Sequence, residues 1–508
     1  MKMKKFLFSA LIVLCLCLTS AMLFTACSLE HPHVYTQQTI PATCTQPAMT
    51  KYSCICGDSY SETTGQSLGH DYISHEGKSS TCTEYGWKAY QTCSRCSYST
   101  YSQLPKQHDT TSTNGKCGAC GLNESPAGLL YSQNSDGTYC VTDIGSCTET
   151  NIVLTFYKGR EITSIESGAF YYTNITSITL PNSVTSIGEK AFSECKNLTS
   201  ITIPNSVTEI GDEAFAACPN LTSAILSEGV TTISHAMFAN CTKLTSITIP
   251  NTVTSIGPHA FAYCSKLTNI TIPDSVTSIG STAFSYCTNL TGITLPDSLT
   301  SIDSYAFTNC ENLTSITIPK NVTNIGYRTF GDCINLESVI FTDGVKTISS
   351  AMFANCKNLN SVTIPPRSVS TIGSYAFADC ISLTNITIPA GVTIIERNAF
   401  EDCMGLTSII LRGVTDIHDN AFKNCTGLTS IVLPKTIKNI NEYAFLNCPN
   451  ITRVYYEGTV NDWDKISIDS SNYVLTRANH YYYSETKPTT AGNYWHYSID
   501  GERLIVWD

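Results

Sequence analysis

Cysteine and histidine residues recur between residues 28 and 125 in a pattern that suits metal binding or disulfide formation. Three units each open with a histidine and continue into closely spaced cysteines. They comprise His33 with Cys44, Cys54 and Cys56; His70 with Cys82, Cys93 and Cys96; and His108 with Cys117 and Cys120. Zinc prefers four thiolate or imidazole ligands in a tetrahedron. Two units therefore offer a complete ligand set, and the third has one ligand too few.

Two kinds of cross-link fit this region. Its eight cysteines are an even number, which suits disulfides in an exported protein. The repeated C-x-x-C pair with a histidine upstream favours zinc instead. Modules of this size cannot bury a sufficient core, so a metal or disulfides must hold them together. We predict that residues 27–125 form a stalk stapled by structural zinc, with disulfides as the open alternative.

The first 27 residues have the features of an export signal. Lysines at positions 2, 4 and 5 precede an apolar run at residues 6–18 that is too short to span a membrane. The segment Phe24-Thr25-Ala26-Cys27 then resembles a bacterial lipobox. The resemblance implies that residues 1–26 are removed and that an acylated Cys27 holds the protein at the outer face of the cell membrane. An ordinary signal peptide is the alternative.

Twelve further cysteines follow one another at intervals of 23 residues, with one interval of 24 and one of 22. They are Cys195, Cys218, Cys241, Cys264, Cys287, Cys310, Cys333, Cys356, Cys380, Cys403, Cys425 and Cys448. A period in this range predicts a solenoid in which each coil packs on its neighbours. Side chains stacked in a column point in parallel and cannot pair as disulfides. We expect a row of buried free thiols that act as small hydrophobic groups.

The repeat is clearest at residues 198–218, LTSITIPNSVTEIGDEAFAAC. Its first part alternates apolar and hydroxyl residues, as a half-buried strand does. Its middle supplies a second inward edge, and the A-F-x-x-C segment a third, which we predict to be a short helical turn. Thirteen phenylalanines mark this third edge, from Phe170 to Phe445. The solenoid is expected over residues 151–456, between an N-terminal cap at 126–150 and a C-terminal cap at 457–508.

The pattern L-x-x-I-x-I-P-x-x-V-x-x-I-G-x-x-A-F-x-x-C resembles the BspA-type leucine-rich repeat of surface proteins in bacteria and some protists. The resemblance covers about 300 residues. It implies a leucine-rich-repeat solenoid displayed at the cell surface, with a role in adhesion and protein binding and without catalysis. The cap segment at residues 137–147 and the tail around 494–497 resemble the flanks of such proteins in gut Firmicutes.

Departures from the repeat point to a surface of interest. The outward strand positions are mostly threonine and serine, but the position of Thr202 becomes Ile410, Val432 and Tyr455 in the last three copies. An exposed apolar strip often marks a binding site. The alternative is that the chain after residue 456 covers the strip as a cap. Residues 223–241 are also echoed 115 residues later, at 338–356, which indicates a duplicated block of five coils.

Composition narrows the function further. The net charge is −11, and 14% of the residues are charged. The sequence has no basic stripe interleaved with aromatic residues, which argues against nucleic-acid binding. His235, His259 and His418 stand at three different offsets from their phenylalanines, so we expect no stacking among them and no catalytic set. We predict a non-enzymatic surface lipoprotein that binds a host or bacterial surface protein. A structural, self-associating envelope protein is the alternative.

Overall fold

The computed structural model describes residues 34–54, 59–82, 84–104, 106–108, 116–489, 492–498 and 504–507. The predictions for Cys27, His33 and Cys56 lie outside these residues. The chain divides into two compact units, Met1–Leu104 and Pro105–Asp508. The second unit thus takes in the last twenty or so residues of the region that the sequence assigned to the stalk. No helix among the described residues is long and apolar enough to cross a bilayer.

The first unit is built from short antiparallel strands. Its strands are Tyr35–Ile40, Met49–Cys54, Ser59–Thr63, Tyr72–His75, Gly86–Trp87, Tyr90–Cys93 and Gln103–Leu104. The first three form a meander, in which Tyr35 lies opposite Cys54 and Met49 opposite Thr63. The other four form two pairs, one of which sets Tyr72 opposite Cys93. Cys54 and Cys93 end their strands, whereas Cys44, His70 and Cys96 lie in the segments between strands.

The second unit is a parallel β-solenoid, as the 23-residue period predicts. A first series of fifteen strands comprises Asn151–Val153, Ser177–Thr179, Ser200–Thr202, Ser223–Ile225, Ser246–Thr248, Asn269–Thr271, Gly292–Thr294, Ser315–Ile318, Ser338–Phe341, Ser361–Thr363, Asn385–Ile388, Ser408–Leu411, Ser430–Leu433, Arg453–Tyr456 and Asn479–Tyr483. Most neighbours pair in parallel one repeat apart, so that Ser200 lies beside Ser223 and Ser223 beside Ser246. The second residue of most of these strands, such as Ile201, is buried in the core.

A second series of strands forms the next edge of each coil. After Arg160–Ile165 it comprises Ser186–Ile187, Glu209–Ile210, Thr232–Ile233, Ser255–Ile256, Ser278–Ile279, Ser301–Ile302, Asn324–Ile325, Thr347–Ile348, Thr371–Ile372, Ile394–Ile395, Asp416–Ile417, Asn439–Ile440 and Ser467–Ile468. Most of these strands are only two residues long, because a glycine or a polar residue follows each of them directly. At Gly211 an added Cβ would come too close to the backbone nitrogen of Glu189 in the preceding coil, so a larger residue there would shift the chain.

The third edge consists of consecutive turns where the sequence suggested a short helical turn. Two residues in each coil adopt a positive φ, one before the Ala-Phe pair and one before the cysteine; in one coil these are Glu213 and Ala217. Left-handed residues interrupt a helix. The turns instead form a third ladder between coils, in which the backbone N–H of Phe192 donates to the carbonyl of Ala214 across 2.8 Å.

Both ends of the solenoid are covered. At the N-terminal end, strands Leu130–Gln133 and Tyr139–Asp143 pair and continue the sheet of Arg160–Ile165, which also pairs with Phe156–Tyr157. At the other end, short helices Val460–Trp463 and Tyr473–Arg477, with a 3-10 turn at Ser470–Asn472, lead into strands Tyr494–Tyr497 and Leu504–Val506. Both strand series thus continue one coil beyond residue 456, the predicted end of the solenoid.

Candidate functional site

Four side chains of the first unit converge in the manner of a metal site. The ligand atoms of Cys44, His70, Cys93 and Cys96 all lie within 4.8 Å of one another and could hold a metal ion. The Sγ atoms of Cys44 and Cys93 are 3.4 Å apart, and Nδ1 of His70 lies 3.4 Å from Sγ of Cys96. The pairing of Tyr72 with Cys93 brings these residues together, because it places His70 beside the C-x-x-C turn.

Hydrogen bonds to sulfur favour a thiolate at the centre of this cluster. The backbone N–H groups of Asp71 and Arg95 each donate to Sγ of Cys93 across 3.4 Å. Burial opposes ionisation of Cys93, but these bonds and the neighbouring His70 and Cys44 lower its pKa to about 5. Burial, followed by hydrogen bonds with Cys93 and Cys96, raises the pKa of Cys44 to about 12. Cys44 and Cys93 can therefore share one proton, and the Cys93 thiolate presents negative charge to a cation.

The grouping of ligands differs from the one predicted from sequence. The sequence assigned Cys44 to the Cys/His set that opens with His33, and Cys82 to the set that opens with His70. In the structure Cys44 completes the set of His70, Cys93 and Cys96, and Cys82 is not among them. The prediction was wrong here because ligands were grouped by their order along the chain. Cys54 is buried at the end of its own strand, apart from this cluster.

The third predicted set, His108 with Cys117 and Cys120, lies in the second unit. Nδ1 of His108 is 3.2 Å from Sγ of Cys120, and Cys117 lies within 4.8 Å of Cys120. The His108 ring stacks on Phe156 with centroids 4.3 Å apart, and its backbone N–H donates to the carbonyl of Gly159. These contacts place the last Cys/His pair against the start of the solenoid.

The twelve repeat cysteines are buried and do more than fill space. Among the described residues none forms a disulfide. Each thiol lies 3.0–3.3 Å from the carbonyl oxygen of the phenylalanine in the preceding coil. The phenylalanines form a column of their own, with ring centroids 5.0–5.7 Å apart. The thiol is thus a buried hydrogen-bond donor that links successive coils.

The outward side of the first strand series is mostly hydroxylated. The Thr222 hydroxyl donates to the carbonyl of Thr199 across 3.0 Å, and the Thr245 hydroxyl to that of Thr222 across 3.1 Å. This column of hydroxyls therefore connects neighbouring coils. The Thr202 column points outward beside it, and most of its members are exposed threonines.

Two isoleucines interrupt the exposed Thr202 column. Ile225 is 56% exposed and Ile340 is 48% exposed, and each stands in register between threonines of the adjacent strands. They occupy equivalent places in the duplicated blocks. Sequence reasoning recognised the duplication but missed these residues as surface features. Aligning every repeat on Thr202 would have identified them.

The strip of Ile410, Val432 and Tyr455 is covered by the C-terminal tail. Val432 is 2% and Tyr455 5% exposed, and both pack in a cluster with the fully buried Trp495. The Trp495 indole N–H donates to the carbonyl of Tyr456 across 3.2 Å. The prediction that Ile410, Val432 and Tyr455 form a binding strip is therefore corrected. The tail folds over these residues, so they lack the exposure that a binding strip needs. Their apolar side chains suit a surface that the tail keeps away from water.

The sequence over residues 163–291, 254–367 and 346–474 matches the family described as BspA type leucine rich repeat region, with six copies. These ranges together span more than half of the chain. The chain belongs to the BspA-type leucine-rich repeat family.

Solved structures of similar proteins include two from bacteria. A leucine-rich repeat protein from Bacteroides ovatus is 25% identical, with 69% of this chain and 99% of that chain covered and a TM-score of 0.48. A leucine rich cell surface protein from Faecalibacterium prausnitzii is 30% identical, with 69% and 100% covered and a TM-score of 0.41. Comparison with curated proteins finds no match.

One pair of histidines departs from expectation in these BspA-type repeats. The rings of His235 and His259 meet edge to face in adjacent coils, with centroids 5.4 Å apart, although their different offsets predicted no stacking. His259 adopts a positive φ. Its Nδ1 lies 2.8 Å from the hydroxyl of Thr282. Burial and then the charge of His235 lower the pKa of His259.

Proposed function

We propose that the protein is an adhesion-type leucine-rich-repeat protein of the cell surface that binds a protein partner and catalyses no reaction. The observation that carries this proposal is the exposure of Ile225 and Ile340 on the hydroxylated face of the first strand series. Exposed aliphatic side chains on an otherwise polar sheet face mark a place where a partner can exclude water.

The surroundings of the two isoleucines indicate the chemistry of the partner. Glu228 and Asp343 follow them at equivalent positions, and both acids are exposed. Neither takes part in an ion pair among the described residues. We infer a host or bacterial surface protein that offers an apolar side chain beside a basic one. The two sites lie about 25 Å apart at about 4.8 Å per coil, a span that one protein partner can cover.

The test compares capture from host and bacterial surface extracts by the full chain and by the double variant Ile225→Thr with Ile340→Thr. Threonine restores the column and keeps the strand. Ile381→Thr is the matched control, because Ile381 is 42% exposed but lies in a turn outside the strands. We expect the double variant to lose at least about tenfold in affinity for the captured protein, a value typical of losing two contact residues, and the control to retain it. Equal binding by all three proteins would refute this site.

Self-association is the competing outcome. A two-fold pairing of two copies through this face would bring Ile225 opposite Ile340, but it would also bring Glu228 opposite Asp343, and like charges disfavour such an interface. Light scattering at rising protein concentration separates the two functions. Concentration-dependent assembly that the double variant abolishes, without capture of another protein, would favour the structural alternative.

Anchoring at the cell surface belongs to the same proposal. It rests on the lipobox-like segment that ends at Cys27. Metabolic labelling with a palmitate analogue in a bacterial host tests it, with Cys27→Ser as the variant. We expect label and membrane association in the wild type and neither in the variant. Secretion of wild-type protein that carries no palmitate label would indicate an ordinary signal peptide.

The region of residues 27–125 is proposed to raise the solenoid from the membrane as a stalk. Its Cys and His residues would bind zinc in a structural role, because the region is rich in thiols and imidazoles and poor in large apolar side chains.

A further inference from the structure

The first unit has almost no hydrophobic core of its own. Among its described residues, the buried hydrophobic side chains are Cys44, Cys54 and Cys93, and no larger aliphatic or aromatic side chain is buried there. Burial of three thiols cannot offset the conformational entropy of ordering some seventy residues, which costs about 1–2 kcal/mol each. A cross-link is therefore required for this unit to hold one structure.

The distances in the cluster suit a tetrahedral zinc ion. Zinc binds sulfur at about 2.3 Å, so two sulfur ligands on one ion stand about 3.8 Å apart. The Cys44–Cys93 separation of 3.4 Å is close to that value. A nitrogen and a sulfur on one tetrahedral zinc stand about 3.6 Å apart, and Nδ1 of His70 lies 3.4 Å from Sγ of Cys96. The N–H groups of Asp71 and Arg95 that donate to Cys93 would support a metal-bound thiolate and fix its orientation.

A disulfide accounts for the same cluster less well. The bond would need the two sulfurs about 2.0 Å apart, and it would use only two of the three cysteines. The imidazole of His70, aimed at Cys96 and stacked on Tyr98 with centroids 4.4 Å apart, would then have no partner in the cross-link. Three thiols and one imidazole form a complete ligand set for zinc and an incomplete one for disulfides.

We infer that Cys44, His70, Cys93 and Cys96 bind one zinc ion that joins two successive Cys/His units of the stalk. Cys44 precedes His70 by 26 residues and comes from the preceding unit. The ion thus ties the three-stranded meander of residues 35–63 to the strand pair of Tyr72–His75 and Tyr90–Cys93. This inference deepens the proposed zinc-stapled stalk and is independent of partner binding, which is assigned to the solenoid.

The experiment measures zinc bound by the full chain, purified once with and once without a thiol reductant, by mass spectrometry of the metal. Cys44→Ser is the test variant. Cys140→Ser is the matched control, because Cys140 is also buried but lies outside both the cluster and the Cys/His region of residues 27–125. We expect Cys44→Ser to bind one zinc equivalent fewer than wild type and the control to bind as much as wild type.

Two further readings decide the outcome. Cobalt added in place of zinc should give the near-ultraviolet absorption of thiolate–cobalt bonds, with the intensity reduced in Cys44→Ser but not in Cys140→Ser. Wild-type levels of zinc in Cys44→Ser would overturn the ligand set. A Cys44–Cys93 disulfide and no zinc in the protein purified without reductant would overturn the metal itself. Either result would leave the capture experiment with Ile225→Thr and Ile340→Thr unaffected.

Discussion

The thiol of Cys218 donates a hydrogen bond to the carbonyl oxygen of Phe192 in the preceding coil, across 3.2 Å. The same relationship recurs along the solenoid, and it explains why this buried position is a cysteine in twelve coils. An alanine would leave the carbonyl with one donor fewer, and a larger aliphatic residue could not donate. The repeat therefore uses the weak S–H donor as a regular link between coils.

Replacing one ladder cysteine tests whether it acts as a donor or only as an apolar group. Cys264 is fully buried, and its thiol lies 3.2 Å from the carbonyl of Phe238. We expect Cys264→Ala to lower the free energy of unfolding by about 1–2 kcal/mol, from the lost bond and the small void. Cys264→Ser keeps a donor and should cost less than alanine. Urea unfolding followed by circular dichroism measures both, with the surface variant Thr268→Ala as control. A serine variant less stable than the alanine variant would show that the thiol acts only as an apolar group.

The buried thiols should make the solenoid sensitive to alkali. Burial raises the pKa of Cys287 to about 12. In the unfolded chain a thiol ionises near pH 8.5, so between about pH 8.5 and 12 the unfolded state has lost a proton that the folded state keeps. Each such thiol should lower the free energy of unfolding by about 1.4 kcal/mol per pH unit in that window. Urea unfolding at pH 8 and pH 10 measures the slope, which Cys287→Ser should reduce by one proton. An unchanged slope in that variant would contradict the assignment.

Alkylation should distinguish the ladder thiols from the exposed Cys96. The thiolate is the reactive form, and burial raises the pKa of Cys218 and its neighbours while also blocking access. We expect iodoacetamide at pH 8 to leave the ladder unlabelled in the folded protein and to label every cysteine in urea, as peptide mass spectrometry can show. With a chelator present, Cys96 should react while the solenoid remains folded. Labelling of the ladder under native conditions would indicate that the coils open readily.

The C-terminal tail should contribute strongly to stability through Trp495. This side chain is fully buried against Val432 and Tyr455. We expect Trp495→Ala to cost about 3–5 kcal/mol, as for other large aromatic residues removed from a core. Ile505→Ser, at an exposed residue of the neighbouring strand, is the control and should change stability little. Thermal unfolding measures both. Partner binding that is lost without any loss of stability would restore the strip as a binding site.

Much of the solenoid followed from the period of the sequence. Each coil contacts only its neighbours, so a residue type repeated every 23 positions must form a column, and Phe215 and Cys218 were placed in the core on that ground alone. The third edge was harder to predict, because the left-handed conformations of Glu213 and Ala217 have no single residue type as their signal.

The tertiary structure decided the features that depend on distant segments meeting. Spacing along the chain could not reveal that Cys44 lies beside His70 and not beside Cys54. The strand pairing of the first unit determines which thiols converge. Nor could spacing decide whether Val432 is exposed, since Trp495 covers it from 63 residues further along the chain. Periodic order is a local property that the sequence displays directly. The metal ligands and the buried strip arise from single, non-repeated contacts, and only the folded chain brings those residues together.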